Sequence, residues 1–238
     1  MWNHPAIPAA RFLDALDLPQ AGSKSTRSKH SLRSWVESGR SLMADEPKSA
    51  LANPAPLGLI GFGLTTVILS LINAGVLPKG GEPVVLPLAF AFGGLIQMLA
   101  GVMEFRTGNT FGTTAFLSYG AFWWWFALLV LLGGHGVLDL SQAGSTIAVT
   151  LIGWGVFTLY MWIATFRLAK ALWWVFLTLW ITFFLLGFGD LLGAPGLVRA
   201  GGWVGLVCGL LAMYTSFALV TNSTFGKTVL PIGAPSGR

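Results

Sequence analysis

Residues 51–77 read LANPAPLGLIGFGLTTVILSLINAGVL. From Leu57 to Leu77 no charged side chain interrupts the run. About 20 apolar residues in helical form cross the hydrocarbon core of a bilayer. Five further stretches meet that length: 84–105, 111–133, 145–166, 171–189 and 201–221. The 238-residue chain is 54% hydrophobic and only 10% charged, with a mean hydropathy of +0.72. Soluble domains carry about 25% charged residues. Connections between the runs are short, which leaves no room for a soluble domain after residue 52. The pattern predicts an all-α membrane protein with six transmembrane helices. A β-barrel is excluded, because its strands alternate in polarity over about 10 residues and these runs are continuously apolar.

Charge sets the expected orientation. Arg11, Lys24, Arg27, Lys29, Arg33, Arg40 and Lys48 precede the first run. Arg106, Arg167, Lys170, Lys227 and Arg238 fall on the same side of a six-span topology, and only Lys79 and Arg199 on the other. Lys and Arg concentrate in cytoplasmic loops, so both termini are expected in the cytoplasm of a plasma (inner) membrane protein. The net charge of +5 therefore reports topology, and no nucleic-acid partner is expected. Three segments follow: a cytoplasmic, flexible tail (1–50), a transmembrane domain (51–222) and a cytoplasmic C-terminal tail (223–238). SKSTRSKHS in the first tail reads as a solvated linker. The segments 9–18 and 32–43 are candidate amphipathic helices, with Trp35, Val36 and Leu42 as candidate lipid contacts. No apolar h-region marks a secretory signal.

The interior of the spans holds neutral polarity and no titratable relay at mid-depth. Glu104 falls at the cytoplasmic end of the second run and reads as a surface partner of Arg106. No paired carboxylates, nucleophile–histidine set or metal-ligand cluster appears, so neither an enzyme nor a cofactor is expected. The single cysteine, Cys208, lies inside the sixth run and can close no intramolecular disulfide. Gly201, Gly205 and Gly209 form a small-residue ridge for close helix contact, within a chain or between chains. LIGFGLTT (59–66) and LIGWGVFT (151–158) share five of eight positions. They open the first and fourth runs, an offset that inverts one relative to the other.

Pro56 suits a first helical turn, where its missing N–H has no intrahelical partner. Asn53 either caps that helix or points into a vestibule, and the positive helix end can face a carboxylate.

NPAPLGL (53–59) resembles the signature of the acetate uptake transporter family. EFRTGNTFGTTAFLSYGAFW (104–123), GWGVFTLYM (153–161), GWVGLVCG (202–209) and FGKTVLPIG (225–233) resemble family blocks in the same order. The resemblance covers roughly residues 51–233. It implies six helices around a pore in each protomer and a homohexamer. It also implies passage of acetate and related short carboxylates, with succinate among the candidates, by a channel or a proton-coupled route. Aligned on these motifs, a constriction falls on Phe62, Tyr119 and Leu179. Tyr119 is there the one hydroxyl able to replace water lost by the solute. The carboxylate-contacting region falls around Asn53, Thr65, Thr66, Asn109 and Thr110, with Ala212 beside the pore. With no titratable group at mid-depth, a proton travels with the solute or along a neutral polar path. Two alternatives stand beside this reading. One is a channel for a neutral solute such as urea, an amide or ammonia. The other is a membrane sensor or scaffold acting through the basic tail.

Overall fold

A computed structural model describes residues 51–233. The expected amphipathic helices at 9–18 and 32–43 lie outside the described residues. Helix α1 spans Ala55–Asn73, with Pro56 in its first turn. The Asn53 side-chain oxygen accepts the Ala55 N–H at 3.0 Å, which satisfies one of the donors a helix start leaves unpaired. The helix ends earlier than the apolar run does. Gly75 adopts φ 75, a left-handed conformation open to glycine, and Val76 and Leu77 both donate back to the Leu71 carbonyl.

The second span is not one regular helix. It comprises α2 (Glu82–Leu88), a π-helical segment (Ala89–Ile96) and α3 (Gln97–Arg106). Pro87 lies inside α2. Its ring crowds the carbonyl one turn back and it donates no hydrogen bond, so the backbone is already perturbed where the π-helix begins. The Trp124 indole N–H donates to the Phe90 carbonyl at 3.0 Å, anchoring the widened turn to the next helix.

The remaining spans are α4 (Thr110–Gly134), α5 (Gly144–Ala164), α6 (Lys170–Leu191) and α7 (Pro195–Phe225). Among the described residues, six helices are long and apolar enough to cross a membrane, counting the second span as one. Helix α7 is longer than its apolar run. It starts with Pro195 in its first turn and stops at left-handed Gly226, φ 64. The segment after it, in the C-terminal tail that begins at residue 223, folds back onto the bundle. Asn222 accepts from the N–H groups of Val229 and Leu230 and donates to the Leu230 carbonyl. The Ile232 and Gly233 carbonyls then accept the N–H groups of Ala171 and Lys170 at the start of α6, at 3.0 and 2.7 Å. FGKTVLPIG is thus a cap for the fifth span.

Consecutive spans pack on one another, and α7 returns to pack on α1 and closes the ring. The glycine ridge makes that closure possible within one chain. A Cβ at Gly209 would lie 2.9 Å from the Gly63 carbonyl oxygen, and one at Gly205 would lie 2.5 Å from Ser70 Oγ. Gly201 meets Leu185 and Leu186 of α6. Helix backbones can approach this closely only where both surfaces are small.

Candidate functional site

Two cavities lie at opposite ends of the bundle. The narrow one, about 70 Å³, begins at the end where α1 starts and α3 finishes. By the same measure a single water needs about 10–15 Å³, so the space admits a few waters or a solute of similar size. The wide one, about 950 Å³, lies at the opposite end, lined in part by Lys79, Asp190 and Arg199. The Arg199 guanidinium Nε donates to the Ala74 carbonyl at 3.2 Å, which ties this rim to the end of α1.

Phe62, Tyr119 and Leu179 all line the narrow cavity and all are buried. They stand seven to nine residues into α1, α4 and α6. At 1.5 Å per residue they sit about 10–14 Å below the helix ends. The Phe62 and Tyr119 rings have centroids 5.9 Å apart. Tyr119 also meets Trp154, Phe157 and Phe176 at 6.0, 5.4 and 6.1 Å. Phe62 and Trp154 occupy the same position in the two echoed octapeptides. The echo therefore sets an aromatic from α1 and an aromatic from α5 against one tyrosine. Sequence reading did not single out Trp154, Phe157 or Phe176 for this cluster.

The Tyr119 hydroxyl is not free. It donates to Thr158 Oγ1 at 2.9 Å, and Thr158 in turn donates to the Trp154 carbonyl at 2.7 Å. Its proton is committed to α5, so the expectation that this hydroxyl replaces a water of the solute does not fit the geometry.

The polar residues expected at the pathway separate into four groups. Asn109 lines the narrow cavity. Thr65 and Thr66 are buried, but their hydroxyls donate to the Gly61 and Phe62 carbonyls one turn back, at 2.8 and 2.7 Å. Asn53 lines a separate groove between the start of α1 and the end of α7. Thr110 is exposed at the first turn of α4. Ala212 is fully buried in α7 and does not line the narrow cavity.

Glu104 departs most from expectation. It is not in a surface pair with Arg106: it is 2% exposed and lines the narrow cavity. Its Oε2 accepts from Asn109 Nδ2 at 2.7 Å and from Thr107 Oγ1 at 3.4 Å. Its Oε1 is buried and has no partner among the described residues, and the same holds for Gln97 Oε1 in the same cavity. Asn109 acts twice, because its Oδ1 also caps α4 by accepting the Gly112 N–H at 3.1 Å. Gly112 leaves the room this needs, since a Cβ there would lie 2.8 Å from the Glu104 carboxyl carbon. No Lys, Arg or His lines the cavity among the described residues.

A model of the GPR1/FUN34/yaaH family matches residues 37–233. The chain belongs to that family. It is 44% identical over 183 residues to the succinate-acetate/proton symporter SatP of Escherichia coli (strain K12), covering 77% of this chain and 96% of the relative. It is 38% identical over 205 residues to acetate permease A of Emericella nidulans, covering 79% and 69%. It is 36% identical over 200 residues to ammonia transport outward protein 2 of Saccharomyces cerevisiae, covering 82% and 71%. Among solved structures, the bacterial acetate channel SatP superposes with a TM-score of 0.73 at 44% identity, covering 77% of this chain and 99% of that one.

Proposed function

We propose that the protein is a multi-pass membrane permease for acetate and related short carboxylates, which cross unchanged and without a cofactor. The observation that carries this reading is the narrow cavity, lined by Phe62, Tyr119 and Leu179, with a far wider one at the opposite end of the bundle. A hydrated solute can enter the wide end and must shed water at the ring, so size is read there. The names of the bacterial and fungal relatives support acetate as the solute. The basic asymmetry supports a plasma (inner) membrane protein with both termini in the cytoplasm, so the narrow cavity opens inward and the wide one outward. Exposed Trp203, Val207, Leu210 and Phe217 along α7 suit lipid or a neighbouring protomer of a homohexamer. Purified protein in liposomes should take up labelled acetate faster than succinate, propionate or lactate. Uptake no faster than in protein-free vesicles, for every acid in that panel, would refute the assignment.

A second reading has its own support. The cavity carries no fixed cation among the described residues, and a relative is named for ammonia, so a small neutral solute also fits. Parallel fluxes of ammonia and urea separate the two: ammonia entry that acetate does not slow would favour the neutral-solute channel.

A further inference from the structure

We propose that Lys79 and Arg199 make the wide cavity an anion collector, in which solutes are sorted by charge before the ring sorts them by size. The inference deepens the carboxylate reading above and rests on it.

The distribution of charge carries it. Among the described residues, the wide end of the bundle holds five charged side chains: Lys79, Glu82, Asp139, Asp190 and Arg199. Both cations line the cavity, whereas of the three carboxylates only Asp190 does. An end of the bundle that is net negative therefore encloses a cavity that is net positive. Backbone dipoles do not reverse that sign. The starts of α5 and α7 and the ends of α1 and α6 all contribute to the lining, so positive and negative helix ends offset one another.

Arg199 is held in place for this role. Its guanidinium lies over Gly75, where a Cβ would stand 2.9 Å from Nη2. The left-handed Gly75 turn, φ 75, both suits glycine and leaves that room. The Nε donation to Ala74 is the one hydrogen bond of the Arg199 side chain among the described residues, so Nη1 and Nη2 are left for the cavity. Lys79 and Arg199 are both exposed, so their attraction acts through water. A cavity of about 950 Å³ has a radius of about 6 Å, and at about 6 Å in water one unit charge enriches a monovalent anion about threefold. The factor rises as a power of the solute charge, to about tenfold for a dicarboxylate. It vanishes for a neutral solute such as urea and inverts for a cation. The ring cannot make this distinction, because its side chains read width and carry no charge.

The test is how acetate entry depends on charge at that mouth. Right-side-out membrane vesicles from cells making the full chain are given labelled acetate at neutral pH. The bath is held at about 10 mM ionic strength, where the Debye length is about 30 Å, or at about 1 M, where it is about 3 Å. Initial rates are corrected for vesicles without the protein and normalised to folded protein. At low ionic strength, Lys79→Gln and Arg199→Gln should each raise the half-saturating acetate concentration about threefold, with the loss confined to that concentration and not to the maximal rate. Asp190→Asn should lower it by the same factor, an improvement that damage to the fold does not produce. Arg199→Lys keeps the charge without the tie to Ala74 and should restore the wild-type value. As a competitor of acetate, succinate should lose about tenfold in potency in Arg199→Gln, and propionate only about threefold. At about 1 M the differences should disappear. Equal half-saturation in the wild type, Lys79→Gln and Asp190→Asn overturns the proposal, and so does a shift that persists at about 1 M. Those two variants change exposed side chains, so the test stands even where Arg199→Gln fails to fold. No acetate entry above control vesicles in the wild type refutes the permease assignment instead.

Discussion

Tyr119→Phe separates a packing role for Tyr119 from a solute-binding one, because the structure assigns each a different magnitude. Phenylalanine keeps every ring contact, including those to Phe62, Phe157 and Trp154. What is lost is one buried hydrogen bond, to Thr158 Oγ1. Thr158 is not orphaned, since its own hydroxyl still donates to the Trp154 carbonyl. The expected cost is therefore about 1 kcal/mol of stability, or a midpoint about 2–4 °C lower for a chain of this size. Acetate entry per folded protein should change by less than about threefold, because no solute contact is removed. Had the hydroxyl bound the carboxylate, its loss would cost about 1.5–3 kcal/mol, a slowing of about tenfold or more at limiting acetate. Thermal unfolding in detergent and initial uptake rates in liposomes read both quantities. A tenfold loss of uptake with an unchanged midpoint would refute the reasoning and return the hydroxyl to the pathway. Thr158→Val is the complementary case. It leaves the Tyr119 O–H buried without its acceptor, so it should cost more, about 1–3 kcal/mol.

Leu179→Ala should widen the ring and raise the succinate-to-acetate flux ratio, at a stability cost of about 2–5 kcal/mol; an unchanged ratio in folded protein would place size selection elsewhere. Gly202→Ala should lower folded yield more than Gly196→Ala. Its Cβ would fall 2.2–2.7 Å from backbone atoms of Asn73 and Ala74, which cannot rotate away, while Gly196 has open space; equal yields would refute the close approach of α7 to α1. For orientation, a cysteine placed at exposed Ser141 should react with an impermeant thiol reagent from outside, and one at exposed Ser223 should not. Native Cys208, fully buried, should stay silent in both, and the reverse labelling pattern would overturn the topology.

How far the sequence carries depends on whether a residue acts through its own helix or across helices. The spans were legible because a bilayer demands about 20 apolar residues, whatever they pack against. Their irregularities were not: Pro87 was the only mark of the π-helical turn in the second run, and apolarity alone is blind to backbone pitch. Thr65 and Thr66 illustrate a different limit. A hydroxyl inside an apolar helix can always return to the carbonyl four residues back, so a polar letter in a span says little about a pore. Glu104 is the instructive miss. Its neighbour Arg106 suggests a surface pair, yet residues two apart on a helix do not share a face. Gln97 lies seven positions earlier, two turns away on the same side, and both its side-chain oxygen and that of Glu104 are buried without partners among the described residues. That spacing of two acceptors, followed by Asn109 as cap and Gly112 as clearance, was readable in the run from Gln97 through EFRTGNTFG. It points inward rather than outward, and it puts the Glu104 carboxyl group in the wall of the narrow cavity.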